Sequence, residues 1–154
     1  MAMNPSTMTP DQVFQIANLL ALPAWLALAA SPSRARWAGA ARLFAGRVVP
    51  LLLAAAYVAL FASQGMGGGG YGSLVEVQRL MTNPWLLTAG WLHYLAFDLF
   101  VGSWISEQAA ALALPHWLLL PLLALTFLFG PAGLLVFLVL RTVWRKSTPA
   151  PALA

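Results

Sequence analysis

The sequence predicts an all-α membrane protein: four membrane-spanning helices with a short interfacial helix between the second and third spans. Of its 154 residues, 61% are hydrophobic and only 8% are charged, whereas soluble domains carry roughly 25% charged residues. The apolar residues also fall into four runs, each long enough to cross a hydrocarbon core of about 30 Å. The basic residues lie between or after these runs, as loop charges near lipid head groups do. We therefore expect membrane lipids, and no nucleic acid, as partners.

Capping and helix-breaking residues set the boundaries of the first two spans. The first, about 11–30, opens with Thr9 as N-cap and Pro10 at the first helical position. The second, about 43–64, ends at the glycine-rich run 65–72. No predicted strand precedes this run, so it is typical of a flexible linker and not of a phosphate-binding loop.

The second half of the chain contains the interfacial helix and two further spans. Residues 73–81 are short and amphipathic, which favours a position at the membrane surface. The third span, about 84–108, follows Asn83 as its cap, and the fourth runs over about 116–144 with a bend expected at Gly130-Pro131. Residues 146–154 are expected to form a disordered tail of this single membrane domain.

Four spans would place both chain ends on one side of the membrane, called side A, with side B opposite. Residues 1–12 contain no Lys or Arg, so we expect the first span to stay in the mature protein and not to act as a cleaved signal. The basic residues divide equally under this topology and leave the orientation open. Side B would hold Arg34, Arg36, Arg42 and Arg47, and side A would hold Arg79, Arg141, Arg145 and Lys146.

Two ionisable residues, His93 and Asp98, lie inside the third span, roughly 13 Å and 21 Å from its first residue. Ionisable groups at such depth usually face a partner or a cavity. The two are about 140° apart around the helix and cannot readily bond to each other, but each could meet a different neighbouring helix around one cleft. Asn18 and Tyr57 have similar depths to His93, so the three are expected to form one polar layer.

The predicted ligand pocket beside this layer is lined by Trp91, Tyr94 and Phe97 and suits a long apolar molecule with one polar end group. Asp98 is expected to face the bundle interior near the Gly130-Pro131 bend, where freed backbone groups could meet its carboxyl. The chain has no cysteine, and its histidines and carboxylates lack the number and spacing of a zinc or di-iron site. We therefore predict no metal and no cofactor.

Three segments carry a family resemblance: YGSLVEVQRL, NPWLLTAGWLHYLAFDLFVGSW and LPHWLLLPLLALTFLFGPAGLLVFLVLR. They resemble the neoxanthin-synthase-like, or abscisic-acid-deficient-4-like, family of membrane proteins, which has many bacterial members. The most specific parts are W-L-H-x-L-x-x-D-L-F at 91–100 and F-G-P-x-G at 129–133. Plant members carry Arg close to the position of Ser103, so this chain departs from the plant pattern there.

The resemblance, which runs over about residues 13–141, implies a four-span fold in a bacterial inner membrane and a link to carotenoids or related isoprenoid lipids. Plant members convert a violaxanthin-type epoxide to an allenic alcohol. One interpretation is therefore a cofactor-free isomerase in which Asp98 is the acid and His93 the base, or the reverse. The alternative is a noncatalytic pigment- or lipid-binding protein, or an accessory subunit of another membrane enzyme.

Overall fold

The computed structural model describes residues 8–147, with side chains described as far as Trp144. Over this range the chain forms five helical stretches and no strand, which confirms the all-α class. The elements are α1 Pro10–Ala29, α2 Ala38–Leu43, α3 Val49–Gln64, α4 Leu74–Thr82, α5 Pro84–Ala111 and α6 His116–Ser147. A π-helical turn, Phe44–Val48, joins α2 to α3 in one continuous stretch. The predicted tail 146–154 lies outside the described residues from position 148 onward.

The predicted N-caps set the helix starts. The Thr9 hydroxyl accepts a hydrogen bond from the Gln12 backbone N–H, and the Gln12 side chain accepts one from the Thr9 N–H, which completes a capping box. Ser73 caps α4, the predicted interfacial helix, and Asn83 caps α5 through the Trp85 N–H. These caps satisfy the backbone donors that the first turn of a helix leaves unpaired.

Helix α5 is the central element and packs between α1 and α3. It runs alongside α1: the Thr88 hydroxyl lies 3.5 Å from the Pro10 carbonyl oxygen, and His116, just after α5, has Nε2 2.9 Å from the Ala29 carbonyl oxygen. With 28 residues, α5 is about 42 Å long. We call the end of the bundle near Pro10 side A and the end near Ala29 side B.

Three described helical stretches are long and apolar enough to cross a membrane, judged by length and composition: Pro10–Ala29, Ala38–Gln64 and His116–Trp144. Helix α5 is not among them, because its polar side chains reduce its mean hydropathy. Its length and its alignment with α1 nevertheless place it beside the apolar helices, with one end at each side of the bundle. The chain is thus a helical membrane protein.

Helix α6 reverses direction in its middle. Phe129 (φ −141°, ψ 35°) and Gly130 (φ 10°, ψ −79°) leave the helical conformation. A Cβ atom at Gly133 would lie 2.6 Å from the Thr126 Cα, although residues seven apart in a straight helix are separated by about 10 Å. Further along, the Trp144 indole N–H donates to the Leu112 carbonyl oxygen over 3.2 Å. Because Leu112 lies just before α6 begins, the helix must end on the side where it started.

The continuous fourth span predicted over 116–144 is therefore corrected to a helical hairpin that starts and ends on side B. Its arms, 116–128 and 131–147, measure about 20 Å and 25 Å, less than a core of about 30 Å. Length and apolar composition cannot distinguish a crossing helix from a hairpin. The reversal is instead allowed by Pro131, which lacks a backbone N–H for the Phe127 carbonyl, and by Gly133, which has no side chain to separate the arms.

Both chain ends were predicted to lie on side A, but the reversal of α6 leaves the C-terminal end of the described chain on side B. The described chain starts on side A, runs between the two ends of the bundle in α1, in the stretch 38–64 and in α5, and then stays on side B through α6. Three passes through the bundle and one hairpin thus replace the four passes that were predicted. The second arm of α6 packs on the side B half of α5, where the rings of Phe137 and Trp104 meet edge to face at 5.6 Å.

Substitution of Gly133 by Val should destabilise the hairpin, because the added atoms would overlap the Thr126 backbone. Overpacking of this kind costs about 1–3 kcal/mol, and we expect a lower midpoint of thermal unfolding in detergent. Gly39→Val is the control, since a Cβ at Gly39 meets nothing within 4 Å. Equal midpoints for the two variants would show that the arms are not in contact.

Candidate functional site

A large groove lies in the side A half of the protein, between α1 and α5. Its volume is about 910 Å³, and it is lined mainly by apolar side chains, among them Phe14, Leu87, Trp91 and Tyr94. On the side B half, the first arm of α6 packs against α1 instead, with Phe127 meeting the Trp25 ring edge to face at 5.5 Å. The groove is thus the space that a full-length fourth span would have filled.

One face of α5 forms the floor of this groove. Leu87, Trp91 and Tyr94 follow one another at intervals of four and three residues, so they share a face of the helix. The same spacing continues to Asp98, one turn beyond Tyr94. Asp98 therefore lies on the same face of α5, one turn beyond the groove-lining Tyr94 and roughly 21 Å from Pro84, although it does not itself line the groove.

Asp98 lies directly against the reversal of α6. A Cβ at Gly130 would come within 2.9 Å of the Asp98 Cγ, so the carboxyl occupies the space that Gly130 leaves free. Its Oδ2 atom is buried and has no hydrogen-bond partner among the residues that the structure describes. The predicted position of Asp98 at the bend is confirmed. A buried carboxyl oxygen without a hydrogen bond is costly, which makes this residue the strongest functional candidate.

Tyr94 connects Asp98 to the groove. Its phenol interacts with the Asp98 carboxyl and lies 3.5 Å from the Phe127 carbonyl oxygen. That carbonyl would pair with residue 131 in a regular helix, but Pro131 has no N–H to give. The Tyr94 hydroxyl thus sits among a carboxyl, a freed carbonyl and the open groove, where it can position a polar group of a ligand.

Aromatic side chains line the groove between Tyr94 and side A, and the Asn18 amide holds one of them in place. The Trp91 ring stacks on Tyr94 at 5.2 Å and meets Phe14 at 5.3 Å. The Trp91 indole N–H donates to the Asn18 Oδ1 over 3.1 Å, and the Asn18 amide donates to the Phe14 carbonyl oxygen over 2.8 Å. Asn18 therefore supports the groove-lining Trp91 from behind the wall, and its partner is Trp91 and not His93.

His93 faces the other way, toward α3. Its ring stacks on Phe97 at 4.5 Å and lies 5.6 Å from the Tyr57 ring, and the His93 side chain is exposed on the protein surface. Tyr57 in turn interacts with Tyr71 of the glycine-rich loop. The structure thus brings His93 and Tyr57 together, as predicted, but separates both from Asn18 by the full width of α5.

The predicted polar layer is therefore two clusters at one depth and not one site. Trp91 and Tyr94 line the groove, with Asn18 bonded to Trp91 and Asp98 beside Tyr94. Tyr57, His93 and Phe97 form the cluster on the α3 side. His93 and Asp98 do not share a cleft within one protomer. The angle of about 140° between them on the helix is the physical reason.

Of the residues that line the groove, Trp91 and Tyr94 were predicted from the sequence, whereas the others, including Phe14 and Asp11, were not. Phe14 lines the wall, and Asp11 lines the mouth at side A. Both precede Asn18 on α1, at intervals of three and four residues, so the helical spacing that marks one face would have identified them. No group of three or more His, Asp or Glu side chains that could hold a metal ion occurs within the described part of the chain.

The fold and site define a small helical membrane protein with an open apolar groove and a partly buried carboxyl one turn beyond its inner end. A family profile described as ABA DEFICIENT 4-like matches residues 12–137. The chain therefore belongs to the ABA DEFICIENT 4-like family, and the predicted resemblance is confirmed. Comparisons with curated proteins and with solved structures gave no match.

A double-mutant cycle tests the contact between Asp98 and the α6 reversal. Gly130→Ala should destabilise the protein, since the added methyl would overlap the carboxyl. The same change in an Asp98→Ala background should destabilise the protein less, because the smaller side chain at position 98 leaves space for the added methyl group. Contacting residues typically couple by about 0.5–3 kcal/mol. Thermal unfolding in detergent measures the four variants, and additive effects would contradict the contact.

Proposed function

We propose that this protein isomerises an oxygenated carotenoid or related isoprenoid lipid in a bacterial inner membrane, with Asp98 transferring the proton and no cofactor involved. Family membership supports the substrate class. The observation that carries the proposal is the position of the Asp98 carboxyl: its buried Oδ2 has no hydrogen-bond partner among the described residues, and it lies one turn beyond Tyr94, which lines the inner end of an apolar groove. Proton transfer at a substrate oxygen requires such a group within reach of a bound ligand.

The groove has the properties that an isoprenoid needs. Its walls are the rings of Phe14, Trp91 and Tyr94, which offer flat apolar surface to a conjugated chain. It is open along one side, so the rest of a long ligand can remain in the bilayer. Its polar groups are few: Thr9 and Asp11 lie at the mouth, and the Tyr94 hydroxyl lies at the inner end, one turn from the Asp98 carboxyl. An oxygenated end group fits there.

The proposed reaction is balanced without an oxidant or a reductant. The neutral Asp98 acid, which costs less to bury than its carboxylate, gives its proton to an epoxide oxygen as the carbon–oxygen bond breaks. The cation that forms on the isoprenoid then loses a proton from an adjacent chain carbon to the Asp98 carboxylate. A new carbon–carbon double bond forms and the acid is restored. The product is an alcohol with the same mass as the epoxide.

This route uses one carboxyl as acid and then as base, and it needs no second group from the far side of α5. Tyr94 positions the oxygen through its hydroxyl. His93 keeps a different role, as a polar surface residue held by Tyr57 and Phe97. The acid/base pair expected from the sequence is therefore replaced in the proposal by Asp98 alone.

A noncatalytic role is the second candidate, and one observation favours it. Gly130 covers part of the Asp98 carboxyl, so a ligand in the groove meets Tyr94 first. The protein would then hold a pigment or lipid by its oxygenated end without changing it. Both candidates use the same groove, and they differ only in whether the bound molecule is altered.

The proposal predicts that Asp98→Asn abolishes isomerisation while the protein still folds. The amide keeps the shape of the carboxyl but is too weak an acid to donate a proton to the substrate oxygen. The wild-type chain is expressed in a host that makes epoxy-carotenoids, and the extracted pigments are separated by chromatography and mass spectrometry. A new pigment of unchanged mass is expected for the wild type and at least 100-fold less for the variant, a loss at the scale of general acid catalysis.

Glu107→Gln is the matched control, since it makes the same chemical change on the same helix at an exposed position outside the groove. A well-folded Asp98→Asn that retains full turnover would contradict proton transfer by Asp98. An unaltered epoxide that copurifies with the wild type would favour the noncatalytic candidate.

His93→Gln should retain most of the turnover, since the ring lies on the α3 side and outside the groove. The comparison uses initial rates of isomer formation in membranes with equal amounts of inserted protein. A loss as large as that of Asp98→Asn would show that His93 takes part in the reaction, and the single-carboxyl route would then be wrong.

A further inference from the structure

The reversal of α6 changes the distribution of positive charge across the membrane. Arg141 lies over the Trp104 ring, with its Cζ 5.8 Å from the ring centroid, in the side B half of the protein. Arg145 and Lys146 follow in the last turn of the same arm. These three join the side B residues Arg34, Arg36, Arg42 and Arg47. Of the eight Lys and Arg residues in the chain, only Arg79 on α4 remains on side A.

An unequal number of Lys and Arg residues on the two sides determines the orientation of a membrane protein. Short loops and helix ends rich in Lys and Arg stay in the cytoplasm, because their translocation is opposed. We propose that side B of this protein faces the cytoplasm and that the groove opens into the opposite, non-cytoplasmic leaflet, from which it takes an isoprenoid lipid. The four-span topology divided the same residues equally and gave no orientation, so the inference depends on the hairpin.

The position of the groove determines the leaflet into which the groove opens. Its mouth contains Asp11, in the first turn of α1, and its inner end lies at Tyr94. Every lining residue belongs to the side A half of α1 or α5 or to α4. The hairpin of α6 fills the other half and blocks continuation toward side B. A lipid can therefore enter sideways from the side A leaflet alone. The choice of lipid rests on the proposed function, whereas the orientation does not.

The absence of native cysteine from the sequence makes the orientation directly measurable. Single-cysteine variants Gln78→Cys on α4, Ser33→Cys in the α1–α2 loop and Ser147→Cys at the end of α6 are expressed in bacteria. Spheroplasts are then treated with a membrane-impermeant maleimide. We expect Gln78→Cys to react in intact spheroplasts, and Ser33→Cys and Ser147→Cys to react only after permeabilisation.

Two other labelling patterns would each overturn one part of the inference. If Ser147→Cys reacts together with Gln78→Cys and not with Ser33→Cys, α6 crosses the membrane and the charge argument fails. If Ser33→Cys and Ser147→Cys react from outside while Gln78→Cys is protected, the hairpin stands but the orientation is reversed. Neither result bears on whether the protein isomerises a pigment, so these failures are distinguishable from failure of the proposed function.

A second measurement tests the leaflet of the groove. Leu87→Cys in the groove and Leu120→Cys on the first arm of α6, both exposed positions, are labelled with a small fluorophore. A nitroxide-bearing phospholipid is then added to the outer leaflet of right-side-out membrane vesicles. We expect at least twofold stronger quenching of the Leu87→Cys label. Equal quenching, or stronger quenching at Leu120→Cys, would show that the groove does not open into the outer leaflet.

Discussion

The contact between Asp98 and the reversal of α6 is the constraint on which the rest of this structure depends. Gly130 has no side chain, so the chain can turn directly over a carboxyl that α5 carries to the middle of the bundle. The turn shortens α6 to two arms on side B. As a result the side A half between α1 and α5 is left open as a groove. A bulkier residue at the turn would push the hairpin away from α5 and open the carboxyl to lipid.

The helical period of α5 then divides its polar residues between two environments. Trp91, Tyr94 and Asp98 fall on the face toward α1 and α6, while His93 and Phe97 fall on the face toward α3. Chemistry that requires two groups at one substrate must use groups from a single face. This favours Asp98 with Tyr94 over Asp98 with His93, although both pairs are close in sequence.

Small residues allow the close approach that a membrane bundle needs, since apolar surface alone gives little driving force for helix association in lipid. The Trp25 ring lies against Gly102, where a Cβ would meet it at 2.5 Å, and Ser103 lies against Gly46 in the π-helical turn. The Ser103 hydroxyl also donates to the Arg42 carbonyl oxygen over 3.1 Å. The short Ser103 side chain thus joins α5 to the second helical stretch.

The sequence by itself determined the all-α class, most helix boundaries, the family and the special position of Asp98, because caps, breakers and apolar runs are local signals. It also placed Asn18, Tyr57 and His93 at one depth, since the rise per residue is fixed. Only the tertiary structure decided which faces meet and that α6 turns back, and therefore on which side Arg141 lies. A proline and two glycines permit a reversal, but whether the chain reverses depends on what α5 presents at the turn, and that contact joins residues 32 positions apart.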